Sequence, residues 1–285
     1  MYKNLSPGAI GIRNYGLVES LDLAQKTGFA GIDFDIREAA ELARAHGAAS
    51  VRDLFNSAGV RPGAWGLPVA WREDRWRDDL NALPELAEIG QSIGALRTQT
   101  WCPPSSDKPF DETFSWHVDR FGPIAEALLP FGVRFGIEFI GPQSLRPPER
   151  ETFIYTLEGM LELTKTIGTG NVGLLLDAWH LYTSGGSLDD LDKITKADVV
   201  SVHVNDAPKG LAMAEYNDHD RRLPMETGVI DLPGFMAKLE AMGFDGPVTA
   251  EPFSQRVNQI EDPLEAAKLT ASYMDQLWSA SGLNA

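Results

Sequence analysis

The chain has 285 residues, 43% hydrophobic and 23% charged, with a formal net charge of -16. That length suits two small domains or one large α/β barrel, and the acidity argues against nucleic acid or an anionic membrane surface as partner, because phosphate neutralisation needs a basic face. Cys102 is the only cysteine, which excludes an internal disulfide. With no leader pattern at the start and no run of roughly 18 apolar residues, the expectation is a cytoplasmic protein.

The first strand is expected at GAIGI (8–12), followed by a helical stretch, SLDLAQKTGF, with Leu21, Leu23 and Ala24 on one side and Gly28 as its stop. Further strands are read at GIDFDI (31–36), VRPGAWGL (60–67), ALRTQTW (95–101) and VRFGIEFI (133–140). The last three are VGLLLDAW (172–179), VVSVHVND (199–206) and PVTAEPF (247–253). Helical periods such as FGPIAEALLPFG, FIYTLEGMLELTKTIG and LPGFMAKLEAMGF lie between them, each closed by a glycine, and PLEAAKLTASYMDQLW supplies a final helix. Eight strands alternating with helices predict a single (β/α)8 TIM barrel over residues 1–285. A doubly wound open sheet would need edge strands, and none of the eight runs is short or charged enough to be one. No G-x-G-x-x-G follows the first strand, so a dinucleotide fold has little support.

Polar residues recur where four consecutive strands end: Glu138 in the fifth, Asp177 in the sixth, His203 in the seventh and Glu251 in the eighth. The C-terminal strand ends of such barrels carry their active sites. Any one of these residues alone reads as a paired or hydrogen-bonded core group. Four in succession at one end suit a divalent ion such as Mn2+, Mg2+ or Co2+, with positions left open for substrate oxygens. Cysteine is absent from the set, which argues against a structural zinc site.

The segments GIEFIGP, LLLDAWH, SVHVNDAP and TAEPF resemble the four metal-bearing strands of the xylose-isomerase-like sugar phosphate isomerase/epimerase superfamily. That group includes ketose 3-epimerases, inosose isomerases and dehydratases, and endonuclease IV. The resemblance implies one divalent ion on Glu138, Asp177, His203 and Glu251, with Glu138 and Glu251 as an acid/base pair on opposite faces of the substrate. It further implies that His180 hydrogen-bonds a substrate oxygen and that Arg222 binds substrate, with Arg221 as its competitor, because PMETG stands where members read Pro-Gly-Glu-Gly. The endonuclease branch uses further histidines on earlier strands. Here the third and fourth strands end GAWGLP and RTQTW, and His219 supplies only part of what is missing.

Trp65, Trp101 and Trp179 fall at strand ends, where indole faces can stack on a sugar ring. Gln99, the stretch WRED (71–74) and Asp33 or Asp35 are further candidates for polar contacts. His46 and His117 read as surface or packing residues, and Asp206 reads equally as a turn residue or as a group that orients a loop or bonds a ligating histidine. The leading expectation is a metal-dependent isomerase or epimerase of an unphosphorylated sugar, keto-sugar or cyclitol, working through an enediolate. A lyase using the same site and a non-catalytic sugar-binding barrel are the alternatives. Relatives commonly form dimers or tetramers, so a homo-oligomer is expected.

Overall fold

Val199–Val204 shows how the strands are built: all six residues, VVSVHV, are buried, as expected for a parallel strand covered on both faces. In the computed structural model, which describes residues 1–283, this strand is one of eight that form a closed ring. They are β1 (Tyr2–Leu5), β2 (Gly31–Phe34), β3 (Arg61–Gly66), β4 (Arg97–Cys102), β5 (Arg134–Phe139), β6 (Val172–Asp177), β7 (Val199–Val204) and β8 (Pro247–Ala250). Each runs parallel to its neighbours, and β1 closes against β8. The fold is a (β/α)8 barrel.

The outer helices begin and end on local chemistry. The Thr156 hydroxyl accepts from the Gly159 N–H and caps the helix Leu157–Ile167. Leu157, Met160 and Leu163 form its buried face, and Gly168 at φ 70° ends it in the left-handed region. Asp35 caps Ile36–His46 in the same way, so the expected strand at 31–36 stops at Phe34.

The first strand was expected too late. Tyr2–Leu5 is the strand, whereas Gly8–Ile10 is a 3-10 turn closed by Gly11 at φ 82°. The sequence YKNL looks too polar for a core strand because Asn4 points into the barrel. There its amide donates to Asp33 Oδ1 (2.7 Å) and Thr249 Oγ1 (2.9 Å). The sixth strand also ends sooner than expected, at Asp177, and Ala178–Thr183 turns at once into a short helix.

The long connection after β7 is tied down by one side chain. The buried Asp206 carboxylate accepts from the backbone N–H groups of Ala207, Thr227, Gly228, Val229 and Ile230, at 2.6–3.1 Å. Asp206 therefore holds the loop that carries Asp218 and Arg221 over the barrel mouth, and does not serve as the partner of a ligating histidine.

Candidate functional site

Strand register brings the four candidate ligands to one level. Asp177 and His203 are Cα partners across β6 and β7, His203 pairs with Thr249 two residues before Glu251, and Glu138 pairs with Trp101 on β4. Glu138, Asp177, His203 and Glu251 each offer one ligand atom, and these atoms lie within 4.8 Å of one another. Two of them are buried without a hydrogen-bond partner among the described residues, Glu138 Oε1 and His203 Nδ1. His203 Nδ1 sits 3.2 Å from Glu251 Oε2 and 3.6 Å from Glu138 Oε1. Orphaned buried polar atoms carry a desolvation cost, and three carboxylates with one imidazole are a donor set that suits a divalent cation. The residues present fit such an ion.

Asp177 has two jobs because its two oxygens face different ways. Oδ1 accepts from the Trp179 N–H (2.8 Å) and from Asn205 Nδ2 (3.1 Å), capping the short helix. Oδ2 accepts from Arg221 Nη1 at 2.9 Å. The Arg221 guanidinium, 1% exposed, also donates to Glu251 Oε2 (2.9 Å) and Asp218 Oδ1 (2.8 Å). Its planar fork bridges three acids that would otherwise repel one another.

The titrating groups are driven apart. Burial pushes Glu138 up to about 8, and the nearby Glu251 charge adds to the rise. Burial acts the same way on Glu251, but the His203 and Arg221 cations outweigh it and hold that carboxylate down to about 2. Burial also raises Asp177, against the pull of Arg221. For His203 burial opposes the charge, yet the Glu251 and Glu138 carboxylates prevail and raise it well above the ordinary imidazole value. His180 goes the other way: burial, reinforced by the Arg221 and His203 charges, keeps it neutral.

The tautomer of His180 follows from its partners. The Gly141 N–H donates to His180 Nδ1 at 3.1 Å, so Nε2 carries the proton. Its neighbour at 3.2 Å, Arg221 Nη2, is itself a donor, and the surrounding carboxylate oxygens stand 3.8–4.0 Å away. The Nε2–H group therefore has no close acceptor among the described residues. Position 141 must be glycine for this contact, because a Cβ there would lie 2.3 Å from the His180 carbonyl oxygen.

A cavity of about 770 Å3 opens over this floor, and Glu138, His180, Arg221, Glu251 and Trp101 line it. Three expected substrate contacts do not. Trp65 is fully buried on the outer face of β3, where its Nε1 donates to the Ala95 carbonyl. Trp179 is folded beneath the β7 loop, donating to Asp218 Oδ1 and packed edge-on against Tyr216. Arg222 turns outward to Asp220 and its neighbour's carbonyl, so Arg221 is the arginine at the site. The alternation of side chains along the loop decides between the two, and spacing alone could not reveal it.

Two further lining residues do not stand out in the sequence, Asp218 and His117. Asp218 lines the cavity and positions Arg221. His117 sits in a helix, Phe110–Leu128, whose period reads as packing, yet it also lines the cavity. Exposed His219 stands at the mouth, 5.9 Å from the Phe253 ring.

Residues 21–277 match the family model described as xylose isomerase-like TIM barrel. The chain is 22% identical over 268 residues to an inosose isomerase of Bacillus velezensis, covering 91% of this chain and 92% of that one. Its structure resembles that of a xylose isomerase domain protein from Alicyclobacillus acidocaldarius, with a TM-score of 0.86 and 31% identity over 99% of both chains. It also shares the fold of the IOLI protein, crystallised with a zinc atom bound, at a TM-score of 0.79 and 21% identity over 98% of both chains. The chain belongs to the xylose isomerase-like TIM barrel family.

Proposed function

We propose that the protein is a divalent-metal-dependent isomerase or epimerase of a sugar-like substrate, a keto-sugar or cyclitol. The observation that carries this reading is the convergence of Glu138 and Glu251, which line the cavity, with Asp177 and His203, all four ligand atoms lying within 4.8 Å of one another. An ion held there would supply Lewis-acid stabilisation for the negative charge of an enediolate. Glu138 and Glu251 then divide the proton work: one takes the proton from the carbon next to the carbonyl, the other returns one. The neutral His180 donates its Nε2–H to a substrate oxygen. Arg221 holds Asp177 and Glu251 in place. The inosose isomerase relative and the zinc in the IOLI structure support this reading. Imidazole and carboxylate donors suit zinc as well as manganese or cobalt.

Gln99 has a place in this scheme. For His203 to bind a metal through Nδ1, its Nε2 must carry the proton and find an acceptor. Gln99 is the neighbour, with its amide 3.5 Å from Nε2 and its other end bonded to the Ser201 hydroxyl (2.6 Å). Turning the amide so that its oxygen faces His203 and its NH2 group faces Ser201 satisfies all three groups, an orientation that only the hydrogen-bond network assigns. Gln99→Leu is expected to weaken divalent-metal affinity about 10–100-fold in a chelator competition, and Gln99→Glu to restore most of it.

The reading is tested by following the products of the metal-reconstituted protein with inososes and ketohexoses by NMR. Isomeric or epimeric products are expected. Unsaturated, dehydrated products would replace the isomerase with a lyase, and binding without conversion of any of them would leave a sugar-binding barrel.

A further inference from the structure

The cavity reaches well past the four acidic and histidine ligands. At about 770 Å3 it lies in the upper part of the roughly 300–1,000 Å3 range of pockets that enclose drug-sized ligands, more than one six-membered ring fills. Glu138, His180, Arg221 and Glu251 stand at its inner end, and Trp71, Trp101, Trp116 and His117 wall another part. The two parts adjoin, because Trp101 and Glu138 are Cα partners on neighbouring strands.

The aromatic part is a built platform. Trp71 is pinned by a hydrogen bond from its Nε1 to Thr100 Oγ1 (3.0 Å) and meets Trp101 and Trp116 edge to face, at 6.2 and 5.7 Å between centroids. Trp101 remains 40% exposed. Leaving an indole this open on a fixed scaffold forgoes apolar burial that a ligand ring would supply.

A second, independent feature lies in the same wall. His117 is 1% exposed, stacked on Phe153 at 4.9 Å, and its Nδ1 donates to the Thr113 carbonyl (2.8 Å). Nε2 is then a lone-pair acceptor, and burial lowers the pKa to about 4, so the ring is neutral near pH 7. Among the described residues Nε2 has no hydrogen-bond partner. An acceptor buried beside a cavity without a donor calls for an O–H or N–H group from a ligand.

We propose that this aromatic wall is a distal subsite for the second, hydroxyl-bearing ring of a two-ring glycoside, with the ring face on Trp101 and a hydroxyl donated to His117 Nε2. The first ring then occupies the inner site, so the inference rests on the sugar-like reading of that site. It narrows the substrate class to glycosides whose reacting ring carries a second ring.

Calorimetric titration of the metal-loaded protein with maltose, cellobiose and lactose, against glucose, galactose and phenyl glucoside, tests this. At least one disaccharide is expected to bind tenfold or more tightly than either single ring. Trp101→Ala should erase that advantage while leaving single-ring binding within about twofold. Trp101→Phe should keep most of it, which controls for folding together with thermal melts of each variant. His117→Phe should weaken the disaccharide severalfold and leave phenyl glucoside unchanged, because its second ring has no hydroxyl. Disaccharides binding no more tightly than single rings, or a Trp101→Ala loss shared equally by both, would overturn the subsite. A disaccharide preference that depends on Trp101 upholds it even where Glu138→Gln leaves turnover untouched, a result that would count against the inner-site chemistry alone.

Discussion

Glu138→Gln and Glu251→Gln are each expected to lower turnover by about 10²–10⁴-fold, the usual worth of a positioned acid or base. Glutamine keeps the shape and one oxygen that can face a metal, but it neither accepts nor returns a proton. The two carboxyl groups are not equivalent in the protein. Burial favours the protonated form of Glu138, whereas the His203 and Arg221 cations keep Glu251 ionised. With the metal retained, both variants should fail at proton transfer while still binding substrate, so kcat falls much more than KM rises. Steady-state kinetics with metal content measured on the same samples checks this, and near-normal kcat in both variants would remove the carboxylate pair from the chemistry.

Arg221→Met is expected to be among the most destabilising single substitutions in the chain. The guanidinium is buried and bonded to Asp177, Glu251 and Asp218. Removing one partner from a buried ion pair leaves uncompensated charge and costs about 3–5 kcal/mol. Some of that cost is relieved as Asp177 and Glu251 take up protons, so the loss should be smaller at low pH than at pH 7. The sign follows from the ion pairs: Arg221 favours the ionised carboxylates, and that contribution fades as pH falls and they become protonated. A bound divalent cation should also compensate, making the loss larger in the metal-free protein than in the loaded one. Arg222→Met should cost about 1 kcal/mol or less, because its partners are Asp220 and a backbone carbonyl at the loop surface. Urea unfolding of both variants, with and without metal, separates the two arginines; equal losses would contradict the placement of Arg221.

Much of the site was legible because a barrel forces a simple rule on the sequence. Acids and histidines near the ends of apolar strands have few uses in a closed parallel sheet except at its C-terminal mouth, so Glu138, Asp177, His203 and Glu251 stood out against VRFGIEFI, VGLLLDAW, VVSVHVND and PVTAEPF. What the pattern does not carry is direction. Trp65 and Trp101 both sit near strand ends, but successive residues of a strand face opposite sides, and Trp65 falls on the helix-facing side while Trp101 does not. The adjacent arginines pose the same difficulty in a loop, where the Asp206 hydrogen bonds set the path of the chain rather than any period. His117 was hidden for a different reason: a helix can bury a residue against the core and still leave its edge on a cavity formed by distant strands. The first strand was misplaced because Asn4, an interior polar residue, broke the apolar run that marks the others.

In the proposed reaction this site moves a proton on carbon beside a carbonyl. The most direct test is incubation of the metal-loaded protein in D2O with a keto-sugar or inosose that it converts, followed by NMR of the recovered substrate and product. Deuterium is expected on the carbon next to the carbonyl, at a rate that falls together with turnover in Glu138→Gln and Glu251→Gln. Full conversion with no solvent deuterium in either substrate or product would contradict proton transfer through these carboxylates.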